Sequence, residues 1–176
     1  MMLHVNELAI TVIGHDRPGI IADVAEVLSG LGMNLTDSTM TRLRGHFAMT
    51  LICAGTPEVD DVEAGLAPLT SDGSLLATVR KVTADTEPEL IGGHYVVSVH
   101  GADRLGIVAS VTRAIAEFGG NITDLTTRLS GSLYVVLAEF DLPAGTEVEM
   151  VRERLGGVAR ALGVDITLRP AETDLL

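Results

Sequence analysis

Two stretches of the chain carry residues suited to holding a small anion: Gly14, His15, Asp16, Arg17, Pro18, Gly19 and Ile20, and then Gly101, Ala102, Asp103, Arg104, Leu105, Gly106 and Ile107. Each follows an aliphatic run and precedes a helix-like one. Its glycines leave backbone N–H groups unshielded at a helix N-terminus, where the macrodipole favours a carboxylate. Arg17 and Arg104 add charges within reach of an anion, although first-turn arginines are also ordinary solvated side chains. Asp16 and Asp103 have a plainer reading as helix N-caps, with the glycines serving only tight turns. Asn34 and Asn121 offer an acceptor and a donor together, which suits a group presenting an ammonium and a carboxylate side by side; Asn shortly after Gly is equally a turn residue.

Other constellations carry less. His94 and His100 face the same way along a strand but stand about 20 Å apart, too far to share a metal ion. His4, His15 and His46 have no companion at metal spacing and read as surface or interface residues. Asp60, Asp61 and Glu63 read as solvated charges favoured at a helix start. Cys53, the single cysteine, lies in an apolar run and is expected to be buried as a small hydrophobe in a reducing compartment. No nucleophile elbow, Walker loop or dinucleotide fingerprint occurs. No catalytic residue, metal or cofactor is therefore expected.

The elements that position these residues come from a duplication. Asp16-Arg17-Pro18-Gly19-Ile20 matches Asp103-Arg104-Leu105-Gly106-Ile107, and Gly32-Met33-Asn34-Leu35-Thr36-Asp37 matches Gly119-Gly120-Asn121-Ile122-Thr123-Asp124 at the same offset of 87, 103 less 16. In the first copy the patterning predicts strands at Leu8 to Ile13, Asn34 to Arg42, His46 to Ala54 and Leu75 to Val82. A helix follows Asp16, with Ile21, Val24, Leu28 and Leu31 on its apolar face, and Thr56-Pro57 opens a second through about Leu69. The second copy predicts strands at Tyr95 to His100, Asn121 to Leu129, Leu133 to Phe140 and Val164 to Leu168. Its helices bury Val108, Val111, Ile115 and Phe118, and then Val148, Val151, Leu155, Val158 and Leu162, the latter opened by a Thr146/Glu149 capping box.

Each copy is thus βαββαβ. The fold class expected is α+β, two ferredoxin-like domains with antiparallel sheets and helices on one face. The domains are expected at 1–83 and 94–170, with a linker at 84–93 and a tail at 171–176. The 176 residues carry 12 Lys+Arg against 24 Asp+Glu, a net charge of −12, with 47% hydrophobic content. Such a polyanion is repelled by phosphate backbones, so direct nucleic-acid binding is not expected. Neither a leader nor a membrane span is read from the sequence, and a cytoplasmic protein is expected.

Both copies resemble ACT domains. The resemblance rests on Gly-x-Asp-Arg-x-Gly-Ile followed by a helix and Gly-x-Asn-(Leu/Ile)-x-Asp, present as Gly14 to Ile20 with Gly32 to Asp37 and as Gly101 to Ile107 with Gly119 to Asp124. Two such modules without a catalytic domain are similar to the glycine cleavage system transcriptional repressor family, which the run Asp37 to Gly55 also resembles. Similar modules precede phosphoserine phosphatase and formyltetrahydrofolate hydrolase, and no such enzyme domain is expected here. The resemblance implies a ferredoxin-like module that binds amino acids, and signalling through a protein partner, a transcription factor or a metabolic enzyme.

Within one copy the glycine loop and the asparagine should lie at opposite ends of the sheet, so they cannot share a ligand there. Pairing of two copies through their second strands would join the Gly14 to Gly19 loop with Asn121, and the Gly101 to Gly106 loop with Asn34. The residues from Thr83 to Gly93 reach at most about 36 Å against roughly 34 Å required. Pairing within one chain is barely feasible, and a homodimer competes with it. The function expected is non-catalytic sensing of a small amino acid. The alternatives are a free-standing regulatory subunit of an amino-acid enzyme and an enzyme using the loop acids.

Overall fold

The computed structural model describes residues 5–83 and 91–171 and divides the chain into two compact units, Met1–Asp85 and Thr86–Leu176. In the first unit the order is β1 (Asn6–His15), α1 (Ile20–Gly30), β2 (Asn34–Leu43), β3 (His46–Gly55), α2 (Val59–Thr70) and β4 (Leu75–Lys81). The strands form one antiparallel sheet ordered β2-β3-β1-β4. Alternation decides which face is covered: Leu8, Ile10 and Val12 of β1 and Phe47, Met49, Leu51 and Cys53 of β3 are buried against Val24 and Leu28 of α1 and Val62 and Leu66 of α2. Both helices therefore lie on one face. Burial pushes the Cys53 thiol up from its ordinary value, as the apolar setting requires.

The second unit repeats the order with β5 (Ile91–Ala102), α3 (Ile107–Ala116), β6 (Asn121–Ser130), β7 (Leu133–Pro143), α4 (Val148–Leu162) and β8 (Asp165–Pro170), its sheet ordered β6-β7-β5-β8. Val97, Val99, Val136, Ala138 and Phe140 meet Ile107, Val111 and Ile115 of α3 and Val151, Leu155 and Val158 of α4. Both units are ferredoxin-like α+β domains. In each, the second strand (β2, β6) lies at the sheet edge, with a bulge between Leu35 and Asp37 or between Ile122 and Asp124.

Four local expectations need correction. The helix after Asp16 starts at Ile20, so Ile20 rather than Ile21 enters the core; Ile21 is 43% exposed and Leu31 only partly covered. The second helix of the first unit starts at Val59, where Glu58 and Asp61 form the capping box. In α4 the N-cap is Glu147, so the Thr146/Glu149 box does not form; Glu149 instead pairs with Arg152. The linker expected at 84–93 falls on residues 84–90, which lie outside the described residues, and on Ile91 to Gly93, which are strand because Ile91 and Gly93 pair with Pro143 and Leu142. His4 and most of the tail also lie outside the described residues.

A close backbone approach fixes the end of β1. A Cβ on Gly14 would stand 2.1 Å from the Ser74 carbonyl oxygen and 2.9 Å from the Leu75 Cα, both main-chain atoms that cannot step aside. Gly14→Ala is expected to lower the unfolding free energy by about 2–4 kcal/mol, read from urea denaturation. Gly30→Ala, at a helical glycine with open space around it, is expected to raise stability by about 0.5–1 kcal/mol. In the second unit Arg154 of α4 grips Glu117, just past α3, with two bonds of 2.8 and 3.1 Å, holding the Glu117 carboxyl below its ordinary value and the Arg154 guanidinium above its own. That contribution to folding is present above the ordinary glutamate range and lost as pH falls through the depressed value. A side-chain NMR titration should place Glu117 below a free glutamate, and Arg154→Met should return it.

Candidate functional site

The chain leaves β1 at His15, whose N–H donates to the Ser74 carbonyl at 3.1 Å, while the Asp16 N–H donates to Gly45 at 3.0 Å. These bonds tie the loop to the β2–β3 turn and to the segment before β4. Gly19 then adopts φ +88° and forms the N-cap of α1, its carbonyl accepting the Asp23 N–H at 2.9 Å. Only glycine takes that conformation without strain. The second unit repeats the turn: Gly106 has φ +88° and its carbonyl accepts the Ser110 N–H at 2.9 Å.

Neither helix has a side-chain cap. Asp16 and Asp103, expected as N-caps, lie three residues ahead of the true cap positions and cannot serve. The leading N–H groups of α1 and α3 consequently receive no side-chain cap hydrogen bond. Helix α2, by contrast, is closed by the Glu58/Asp61 box.

The loops share a backbone and differ in their side chains. In the first unit Asp16 accepts from Arg42 at 3.3 Å, and Arg17 donates to Asp23 at 2.8 Å and to the Pro18 carbonyl at 3.2 Å. In the second unit Ser110 occupies the place of Asp23. Asp103 and Arg104 have no ion-pair or hydrogen-bond partner among the described residues, and Leu105 is fully exposed. Ile20 and Ile107 are core residues at 2% exposure, so only their backbone is available to a ligand. Gly101 ends β5 beside Ala102, and a Cβ there would stand 2.7 Å from Val164, as one on Gly14 would strike Ser74. Beside the first loop lies an open cleft of about 480 Å³, lined by Asp16, Arg17, Gly19 and Ile20 together with Met40 and Phe47.

Asn34 and Asn121 begin β2 and β6, exposed and without side-chain hydrogen bonds among the described residues. Asn34 is level with Ala54, which is level with Glu7, seven residues down β1 from Gly14. That separates Asn34 from its own glycine loop by at least about 23 Å along the strand. Asn121 is likewise level with Asp141 and His94, seven residues from Gly101. Each unit thus carries a glycine loop at one end of its sheet and an asparagine at the other.

Two groupings escaped the sequence reading. His15 and His46 are paired across β1 and β3, with ring centroids 5.4 Å apart. His94 bonds Asp141, and both line a small cavity of about 150 Å³ together with Tyr95, Thr123 and Glu139. Strand register brings both pairs together, and no local motif marks them. Among the described residues no three His, Cys, Asp or Glu side chains are placed to hold a metal ion, and no helix is long and apolar enough to cross a membrane.

The family model described as the ACT domain matches twice, over residues 6–79 and 94–169. A phosphoserine phosphatase of Streptomyces coelicolor is 28% identical over 163 residues, 92% of this chain and 39% of that protein. The glycine cleavage system transcriptional repressor of Escherichia coli K12 is 27% identical over 122 residues, 69% of this chain and 64% of the repressor. The chain therefore spans less than two thirds of the length of either relative. A Galdieria sulphuraria protein of known crystal structure superposes with a TM-score of 0.81 at 26% identity, covering 96% of this chain and 99% of that one.

Proposed function

The chain belongs to the ACT-domain family, and on that premise we propose that it is a non-catalytic regulatory protein that binds a small amino acid where one ACT module adjoins another and passes the signal to a protein partner, in the manner of a transcriptional regulator. The observation that carries this reading is the pair of helix N-termini entered through a left-handed glycine and left without a side-chain cap. They present N–H groups to a carboxylate, and the two exposed asparagines supply donors and acceptors for the rest of a zwitterion.

Module pairing supplies the missing half of each site. The edge strands β2 and β6 expose unpaired backbone groups. When two such edges pair antiparallel about a twofold axis, the asparagine at the start of one strand comes beside the glycine loop of the other module. The partners proposed are Asn121 for the Gly14 to Gly19 loop and Asn34 for the Gly101 to Gly106 loop, within one chain or in a homodimer. Ligand shared between modules binds the paired arrangement better than the separated one, and that difference in affinity is what shifts the population.

The test is a thermal-shift panel of the twenty amino acids. Saturation at a hundred times the dissociation constant should add about 2.7 kcal/mol of stability. Asn34→Ala combined with Asn121→Ala should abolish the shift. A panel in which no amino acid stabilises the protein removes the sensing reading, and a shift that survives both substitutions removes the shared site.

A further inference from the structure

The face of the second sheet that α3 and α4 do not cover carries a charge pattern that the amino-acid reading does not use. Strand register sets it out in rows. At one end Asp124 of β6, Glu139 of β7, Val96 of β5 and Arg169 of β8 lie side by side. At the other, the same strands contribute Arg128, Val135, His100 and Asp165. The corners of the face therefore read acid, arginine, acid, arginine around the perimeter.

All four corner residues are exposed, and none has an ion-pair partner among the described residues. Nor can they satisfy one another. Corners on the same strand stand about 13 Å apart, and corners across the sheet are three strand spacings, about 14 Å, apart. Between them lies Leu137, 40% exposed on the same face. Like charges occupy the diagonals. A twofold axis in the plane of the face, along the strands or across them, accordingly sets every acid over an arginine of the second copy. The first unit carries only half of this arrangement: Asp37 and Arg80 share a row, while Thr41 and Leu76 fill the other corners.

We propose that the uncovered sheet face of the second unit is a self-association surface, which stacks face to face on the same surface of a second copy of this chain through Asp124, Arg128, Asp165 and Arg169. Self-complementarity of this kind is what an isologous contact requires. Four strands make a face about 19 Å wide, which over the length of β8, about 20 Å, is about 380 Å², below the roughly 800 Å² per partner of a durable interface, so the pairing is weak and concentration-dependent. It is independent of the amino-acid reading, since neither glycine loop nor either asparagine takes part.

Sedimentation velocity on the full chain, from about 10 to about 500 µM, reads the association constant. Arg169→Glu should weaken association about tenfold by setting like charges in opposition. Asp124→Arg added to Arg169→Glu restores it if the axis runs along the strands, and Asp165→Arg added to Arg169→Glu restores it if the axis runs across them. Circular dichroism of each variant confirms that the fold is kept. A wild-type chain that stays monomeric throughout overturns the proposal. So does an association that Arg169→Glu leaves unchanged, or one that neither double reversal restores.

Discussion

A glycine held at φ +88° turns the chain from strand into helix in each unit, and the chemistry of both loops depends on it. An L-residue in left-handed conformation is disfavoured by roughly 1–2 kcal/mol. The turn lets the carbonyl of Gly19 or Gly106 enter the first helical hydrogen bond while Asp16 and Asp103 stay three residues ahead of the cap. Ile20 and Ile107 then lock the helix start by entering the core. Backbone geometry and core packing thus cooperate to hold bare N–H groups at one end of a rigid sheet. A capped helix of the α2 kind would use those same groups internally.

The duplication, the strand faces and the element order could all be read from residue types, because alternation and helical spacing are local properties. Asp16 looked like a cap because aspartate is a favoured cap residue, and nothing in its immediate neighbours reveals that the helix waits three residues longer. That delay also exchanges Ile20 for Ile21 on the buried face. Thr146 and Glu149 failed similarly, with Glu147 taking the cap position. The bonds of Asp16 to Arg42 and of His94 to Asp141 join residues far apart in sequence. Such pairs depend on register, which includes a bulge in β2 and another in β6 that residue patterning does not disclose.

The two copies have kept their backbone and diverged in their charges. Helices α1 and α2 carry Asp23, Glu26, Asp60, Asp61 and Glu63 with no basic residue, whereas α3 and α4 carry Arg113, Arg152, Arg154 and Arg160 beside Glu149 and Glu153. The loops differ in the same sense, since Arg17 is engaged by Asp23 and Arg104 is not. That engagement is a modest obstacle to a ligand. An exposed ion pair contributes about 0–1 kcal/mol, less than a carboxylate gains from a charge-assisted bond to a guanidinium, about 1.5–3 kcal/mol. The first loop is accordingly restrained rather than closed, and the greater freedom of the second lies in its side chains.

A chain of net charge −12 repels its own copy at long range. Range resolves the difficulty. At physiological ionic strength the Debye length is about 8 Å, so most acids of one chain are screened from those of the next. What remains at contact is the local arrangement, and on the uncovered face of the second unit that arrangement balances two acids against two arginines at its corners. Monopole repulsion weakens with salt faster than opposed corners in contact do, because paired charges at an interface exclude part of the screening solvent. Net charge thus slows indiscriminate encounter, while a surface of alternating sign still distinguishes its own copy from the acidic helix layer of the first unit.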